Sequence, residues 1–205
     1  MIRSRYSRAN SQYVSDGPSF NLRNAYFRAN YLYDQCEGGL ESIIRGLLRD
    51  PIMKIDRHFS SDISQHLFET HDHLGRPFHF DLVAVNIARG RDHGVPAYIK
   101  FREFCGLPAL RTWTQLKQAI PDETIQLFKR TYKFVDDIDL FTGAIAETRL
   151  ADALVGPTLA CLLGHHFKDI KYADRFWYET NAPPARFTTR NLFYFHLLLF
   201  YSKYN

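Results

Sequence analysis

The chain has 205 residues, of which 45% are hydrophobic and 23% charged, a balance typical of a folded globular protein rather than a disordered one. This length fits one ordinary domain or a piece of a larger one. The formal net charge of +4 is a mild excess, which by itself does not indicate a nucleic-acid-binding protein. The longest apolar stretch, LFYFHLLLF over 192–200, is shorter than the roughly twenty residues of a membrane span.

Much of the basic excess lies in the first thirty residues, where five arginines face the single acidic residue Asp16. Two interpretations are open for this basic N-terminal segment, an organellar transit peptide and a solvated basic stretch, and its poor amphipathic pattern favours the second. No apolar stretch follows the first basic residues, so the sequence shows no secretory signal peptide.

Helical spacing dominates the first half of the chain. Apolar residues recur at intervals of three and four from Leu40 to Leu48, which predicts a helix that Pro51 ends. A second helix is predicted to start near Ser60 or Ser61, with a serine cap and with Ile63 and Leu67 on its inner face. HDHLGRPFHFD over 71–81 contains a glycine and a proline and is predicted to be a loop.

Prolines mark the starts of the later helices. Pro96, Pro121 and Pro157 each stand where a helix is predicted to begin, a position at which a missing N–H does no harm. The helix after Pro96 is predicted to end at Cys105-Gly106, and an acidic loop is predicted over 136–143. DRFWYE is ambiguous, and no fixed-period repeat is present. The pattern predicts a mainly α domain with irregular connections and little strand.

One charged stretch, NIARGRDHGVPAY over 86–98, interrupts these apolar segments. If 81–89 is a helix, Leu82, Asn86 and Arg89 share one face, and Val85 flanks it. Such a surface is apolar enough to lie against a flat ligand and polar enough to orient it. Alternatively, Asn86 and Arg89 satisfy buried carbonyl groups at a helix junction.

Three further polar residues, Arg91, Asp92 and His93, follow Gly90, where the helix is predicted to give way to a turn at Gly94. An Arg-Asp pair next to a histidine can fix a sharp connection through charge-assisted hydrogen bonds. The alternative, a catalytic Asp-His couple, would need a nucleophile or metal that the local sequence does not supply.

NIARGRDHGVPAY, followed by FREFCGLP, closely resembles the signature of animal haem peroxidases of the peroxidasin and chorion-peroxidase type. LRNAYF and GGLESIIRGLLRDP upstream, and VDDIDLFTG, LVGPTLACLLGHHF and DRFWYE downstream, resemble the same family in the same order. The resemblance covers about residues 21–187 and sets apart a basic segment over 1–20 and an apolar tail over 188–205. The tail departs from the family and is interpreted as translated non-coding sequence, a mispredicted exon or an isoform-specific helix.

The resemblance implies a largely helical, extracellular or vesicular enzyme that uses haem and hydrogen peroxide to oxidise halides or phenols, including tyrosines. By the same resemblance, Asn86 hydrogen-bonds the proximal histidine that ligates the iron, and Arg89 lies against the haem edge near a propionate. Leu82 and Val85 would be apolar haem contacts.

The resemblance also implies a disulfide between Cys105 and Cys161, which fits an oxidising compartment and leaves Cys36 as the odd thiol. The family's distal histidine and arginine, its calcium-binding loop and its proximal arginine-phenylalanine-glycine-histidine motif do not occur in this sequence. The chain is therefore expected to be the C-terminal part of a peroxidase domain and inactive by itself.

Two other classes of function stay open on the sequence. A non-catalytic binding or adhesion module could keep the peroxidase fold without haem. A loop containing His71, His73 and His79 could bind zinc or copper through neutral imidazoles.

Overall fold

The structure, a computed structural model, describes residues 5–15, 19–183 and 186–191. The mainly α class is confirmed, because helices occupy far more of the described chain than strands do. The helices are α1 (Asn30–Tyr33), α2 (Gly39–Arg49), α3 (Ser61–Ser64), α4 (Leu82–Asp92), α5 (Tyr98–Phe104), α6 (Trp113–Leu116), α7 (Asp122–Thr131), α8 (Leu140–Ala146) and α9 (Pro157–Ala173).

The strands form two antiparallel pairs. β1 (Arg5–Tyr6) pairs with β2 (Phe20–Asn21), and β3 (Leu67–His71) pairs with β4 (Pro77–Phe80). Single 3-10 turns cover Leu22–Asn24, Gln35–Glu37 and Val135–Asp137. No helix in the described ranges combines the length and the apolar character that crossing a bilayer requires.

The chain divides into two compact units, residues 1–160 and 161–205. The first unit has one main hydrophobic core, built by α5 to α8 and the segments that join them. Its largest fully buried apolar side chains are Tyr98, Ile99, Leu116, Ile120, Ile125 and Ile138. The second unit contains the greater part of α9, then the turns of DRFWYE, and of the expected apolar tail only 188–191 are described.

Local side chains explain where several helices begin. The Asp81 carboxylate accepts hydrogen bonds from the backbone N–H groups of Val83 (2.8 Å) and Ala84 (3.2 Å), which caps α4. α7 follows Pro121 as predicted, and Asp122 and Glu123 lie in its first turn, next to the positive end of the helix dipole.

The predicted loop over 71–81 is wrong, because this segment completes a β-hairpin. β3 pairs with β4 in the register Leu67 to Phe80 and His71 to Pro77. The glycine in this segment, Gly75, lies only in the turn at the tip of the hairpin, where its φ is +75°. The predicted helix before it is also too long: α3 is a single turn, so Leu67 is buried at the start of a strand rather than on a helix.

The predicted acidic loop over 136–143 is wrong in its second half, because α8 begins at Leu140. Gly143 does not break the helix; it allows close packing. A Cβ at this position would lie 2.7 Å from Tyr98 Cβ, which real side chains do not tolerate. α8 therefore packs directly against the Tyr98 ring of α5.

The predicted helix over 40–48 forms as α2, but its apolar face does not lie in the core. Its buried residues are the small ones, Gly39, Ser42 and Gly46. A Cβ at Gly46 would overlap the Ser7 carbonyl oxygen, so this face must lie against the N-terminal backbone. The larger apolar side chains are consequently about half exposed: Leu40, Ile44, Leu47 and Leu48.

Candidate functional site

α4 carries the first half of the charged stretch and lies at the surface, since none of its residues is buried. It contacts α3 and α8. Val83, Ile87 and Gly90 are half-buried and recur at helical spacing, whereas Val85, Asn86 and Arg89 are exposed. Leu82, in the first turn, is half-buried. The continuous helix therefore presents the four predicted residues together, as the spacing indicates.

The exposed polar side chains of this face have little protein contact. Among the described residues, the Asn86 amide makes no hydrogen bond, and Arg89 Nη1 donates to Asp92 Oδ2 at 2.9 Å in a pair more than 60% exposed. Exposed pairs of this kind contribute little to stability. Neither side chain satisfies a backbone carbonyl in the described part of the chain, so the helix-junction interpretation is not supported.

A cavity of about 360 Å³ lies beside Asn86, between α4 and α8. Its polar lining side chains are those of Asn86 and Asp139, and the rest of its lining is apolar or glycine: Ile87, Gly90, Val95, Leu140, Phe141, Ala144, Ile145 and Leu159.

The second half of the charged stretch both turns the chain and anchors α4. α4 continues two residues beyond Gly90 to Asp92, and the predicted turn at Gly94 is present, where φ is +63°. Arg91 donates through Nε and Nη2 to the two carboxylate oxygens of Asp139 at 2.9 and 2.8 Å. Asp139 also accepts from the Tyr132 hydroxyl at 2.8 Å. The partner that fixes this end of α4 is thus 48 residues away, not the adjacent Asp92.

The surroundings of Asp139 and Tyr132 shift the pKa of both groups. The Arg91 guanidinium lowers the pKa of the Asp139 carboxyl, with a further contribution from the Tyr132 hydroxyl. Burial is the main cause that raises the pKa of Tyr132. Asp139 is consequently a carboxylate, neutralised by Arg91. The alternative of a catalytic Asp-His couple is not supported, because Asp92 accepts a hydrogen bond from Arg89 rather than from His93.

A buried polar cluster that the sequence did not reveal joins α5, α8 and the start of α9. Glu147 Oε1 accepts from the Tyr98 hydroxyl, Arg102 Nη1 and the Thr158 hydroxyl, each at 2.5 Å. Its other oxygen accepts from Thr158 N at 2.9 Å. Burial and the neighbouring carboxylate raise the pKa of Tyr98 well above its usual value. The cluster is a structural support of the core, because its side chains are almost completely buried.

A second feature that has no sequence signal is a pair of aromatic residues with positive φ. Phe27 and Phe68 have φ of +57° and +54°, and their ring centroids lie 4.8 Å apart. The bulge in β3 between Leu67 and Thr70 contains Phe68, which explains its conformation. Phe27 is 86% exposed.

The prediction for the cysteines is confirmed, whereas the metal site suggested for the histidine loop is not supported. Cys105 and Cys161 are disulfide-bonded, as expected, and Cys36 is free. Over the described ranges, no three metal-ligating side chains come together, so the zinc or copper loop is not supported. His71 and His79 lie on β-strands of the hairpin, whereas His73 lies in its turn.

Comparisons with known proteins place this geometry in a family. The model of the animal haem peroxidase family matches residues 1–195. The peroxidasin homologue pxn-2 of Caenorhabditis elegans is 38% identical over 161 residues, which are 77% of this chain and 12% of that protein. Thyroid peroxidase of Rattus norvegicus is 36% identical over 167 residues, 80% of this chain and 18% of its own length.

Solved structures agree. Peroxidase A from Dictyostelium discoideum superposes with a TM-score of 0.73 at 31% identity, covering 88% of this chain and 33% of that one. Fatty acid alpha-dioxygenase of Oryza sativa gives a TM-score of 0.64 at 17% identity over 86% of this chain and 30% of that one, which shows a shared fold alone. The chain thus spans a third or less of each of these proteins. Matched by the family model over nearly its whole length, it belongs to the animal haem peroxidase family.

Proposed function

We propose that this chain forms the proximal-side haem scaffold of a peroxidase, which in its complete form uses hydrogen peroxide to oxidise halide or phenolic donors, including tyrosines. The observation that carries this proposal is the exposed face of α4. There Asn86 and Arg89, two polar side chains with little protein contact, stand beside Leu82 and Val85. The family membership of the chain supports haem as the ligand that we propose for this face.

The face suits the edge of a haem group. Haem offers a flat apolar ring system and two propionate carboxylates, and Leu82 and Val85 would contact the ring. Arg89 is free to exchange its exposed partner Asp92 for a propionate, to which a guanidinium can donate two parallel hydrogen bonds. We propose that the iron ligand comes from elsewhere, since no described histidine lines the cavity beside Asn86.

Bound haem would supply the redox chemistry with peroxide. The Asn86 carbonyl oxygen would accept a hydrogen bond from the imidazole N–H of a histidine that holds the haem, which would fix the histidine's tautomer and strengthen it as a ligand. Arg89 would orient the ring through a propionate, and the Arg91 pair with Asp139 holds the helix that carries both residues. We place the proximal and distal histidines, the distal arginine and the calcium loop of the complete enzyme outside this chain.

Two further parts of the proposal follow from this placement. We expect the chain by itself to have no peroxidase turnover, because none of the described residues that line the cavity beside Asn86 is a histidine. We also propose an extracellular or vesicular location, which the disulfide-bonded cysteines support, since disulfides persist in oxidising compartments.

Haem titration of the purified chain tests the proposal. We expect a haem absorbance change without peroxide-dependent dye oxidation, and we expect Arg89→Ala to weaken haem binding roughly tenfold through loss of the propionate contact. Lys100→Ala, which removes another exposed cation from α5, is the matched control and should bind haem normally. Absence of haem uptake by a folded chain would contradict the proposal and favour the non-catalytic module.

A further inference from the structure

A carboxylate in the second unit accepts hydrogen bonds from two neighbouring aromatic side chains. Glu179 Oε2 accepts from the indole N–H of Trp177 at 3.2 Å, and Glu179 Oε1 accepts from the Tyr178 hydroxyl at 3.3 Å. Lys171 forms an ion pair with Oε2, and its hydrogen bond is the main cause that lowers the pKa of Glu179. Glu179 is therefore ionised at neutral pH, and it lies in direct contact with a phenol.

Tyr178 differs from the other tyrosines because it combines this contact with exposure. Of the tyrosines in the described ranges, three donate a hydrogen bond to a carboxylate: Tyr98, Tyr132 and Tyr178. Tyr98 and Tyr132 are buried, whereas Tyr178 is 44% exposed. Tyr172 is 77% exposed, but no carboxylate in the described part of the chain accepts from its hydroxyl. A phenol that can both lose its proton to a neighbouring base and meet another molecule thus lies at position 178.

We propose that Tyr178 is the site at which one-electron oxidation links two copies of this chain through a dityrosine bond. A strong one-electron oxidant, of the class of high-valent metal complexes, takes one electron from the phenol ring. The hydroxyl proton moves along the existing hydrogen bond to Glu179 Oε1. Two of the resulting neutral phenoxyl radicals, one from each copy, form a carbon–carbon bond between their rings. The hydrogen on each joined carbon then moves to the oxygen, which restores both phenols.

The neighbouring carboxylate explains why oxidation favours Tyr178. A neutral phenol has a pKa of about 10, but a phenol that has lost an electron is a far stronger acid than a carboxylic acid. Loss of the electron is consequently easier where a base already accepts the hydroxyl proton. Trp177 leads to the same product, because its ring centroid lies 5.0 Å from that of Tyr178, so an electron lost from the indole is replaced by one from the phenol.

This inference goes beyond the haem scaffold and does not depend on it, since an added oxidant serves as well as one that an enzyme generates. The residues involved all belong to the second unit, whereas the exposed face of α4 belongs to the first. Failure of haem binding would therefore leave the inference at Tyr178 intact, and failure at Tyr178 would leave the haem proposal intact.

The first experiment oxidises the full chain, without haem, by photogenerated tris(bipyridine)ruthenium(III), with a cobalt(III) ammine complex as the final electron acceptor. The readouts are covalent dimer on a denaturing gel, dityrosine fluorescence and the position of the cross-link by mass spectrometry. We expect Tyr178 in the main cross-linked peptide of the native chain. Tyr178→Phe should lose most of the dimer. Tyr172→Phe is the matched control, because it removes a more exposed phenol from the same unit, and it should keep the dimer.

The second experiment separates the proton acceptor from the ion pair. Glu179→Gln keeps the shape of the side chain but removes the base, and a positioned base contributes roughly a hundredfold or more to a proton transfer. We therefore expect dimer formation to be slower by at least about tenfold in this variant. Lys171→Ala breaks the ion pair but keeps the carboxylate, so it should form dimer no more slowly than the native chain.

Two results would overturn the inference. One is a main cross-link at a tyrosine other than Tyr178, for example at Tyr172, as exposure alone would predict. The other is an equal rate of dimer formation in Glu179→Gln and the native chain. Mapping of the cross-link in the native chain needs no variant, so it decides the question even if a substitution disturbs folding as judged by circular dichroism.

Discussion

At the scale of single residues, Glu147 shows how one buried carboxylate fixes several chain segments. Its side chain is completely buried, and that of Arg102 is 6% exposed. Removing one partner of such a pair leaves an uncompensated charge away from water, which costs about 3–5 kcal/mol. We therefore expect Glu147→Gln to lower the free energy of unfolding by about that amount, as measured by urea denaturation.

The control for Glu147 is a pair of the same chemistry at the surface. Glu41 and Arg45 on α2 form an ion pair at 2.6 Å, but the Glu41 side chain is 77% exposed. Glu41→Gln should leave the denaturation midpoint nearly unchanged. Equal effects of the two substitutions would contradict the structural role of the buried cluster.

Asp139 should give the chain a specific acid sensitivity. Its folded pKa is lowered, first by Arg91, so its contribution to stability is complete above the unfolded pKa of about 3.9 and is lost as pH falls through the folded value. We expect the native chain to be more stable than Asp139→Asn by a constant amount above about pH 5. The difference should shrink below about pH 4 in urea denaturation measured at several pH values. A difference that does not vary with pH would show that the shape of Asp139, not its charge, matters.

Among the features of single residues, those that depend on helical spacing could be predicted from the sequence, whereas those that depend on tertiary contacts could not. The common face of Asn86 and Arg89 could be predicted, because helical spacing is a local property. The partner of Arg91 could not, because Asp139 is 48 residues distant and Asp92 is adjacent. The positive φ of Phe27 and Phe68 gives no sequence signal either, since the surrounding structure imposes it.

At the scale of secondary structure, the contact between α5 and α8 explains a glycine inside a helix. Gly143 lies against the Tyr98 ring, so Gly143→Ala forces atoms apart in the core, at a cost of about 1–3 kcal/mol. This cost should exceed the gain of about 1 kcal/mol that alanine brings to a helix. We expect a lower melting temperature, measured by circular dichroism.

At Gly90, in contrast to Gly143, we expect substitution by alanine to stabilise the chain. A Cβ at Gly90 meets nothing within 4 Å, so Gly90→Ala should raise the melting temperature through helix propensity alone. Stabilisation by both substitutions would show that α8 does not need a glycine at its crossing with α5.

Element starts were easier to predict from the sequence than element faces and lengths. Pro121 and Asp81 mark helix starts through local backbone chemistry, and the structure begins helices next to both. The glycine and the proline of 71–81 predict a loop, whereas the strand pairing of β3 with β4 depends on contacts between segments that local composition does not show. Helical spacing predicts the apolar face of α2 but not where that face lies, and close packing of Gly46 against the Ser7 backbone turns it outward.

At the scale of the whole molecule, family resemblance predicted the class of fold well. The mainly α architecture, the disulfide-bonded cysteines and the peroxidase family all follow from ordered motifs over most of the chain. The boundaries at 1–20 and 188–205 stay predictions, and the family match itself runs over residues 1–195. Periodicity could give the helices but not their arrangement, because packing depends on contacts between distant segments.

The exposed face of α2 should govern how the chain behaves in solution. Leu40, Ile44, Leu47 and Leu48 lie at helical spacing and form an apolar surface, while the charged neighbours Arg45 and Glu41 are paired with each other. Large exposed apolar patches mark interaction surfaces or sites of aggregation. We expect the chain to bind the dye ANS and to self-associate as its concentration rises.

The double substitution Ile44→Lys and Leu47→Glu should reduce both effects without lowering stability, because both side chains are about half exposed. The readouts are dye fluorescence, size-exclusion chromatography with light scattering, and urea denaturation. Ile43→Lys alone, at a more buried position of the same helix, is the control that should destabilise the chain instead. If the double variant bound as much dye and associated as strongly as the native chain, the exposed face of α2 would not be the surface responsible. Another surface would then have to cause the self-association.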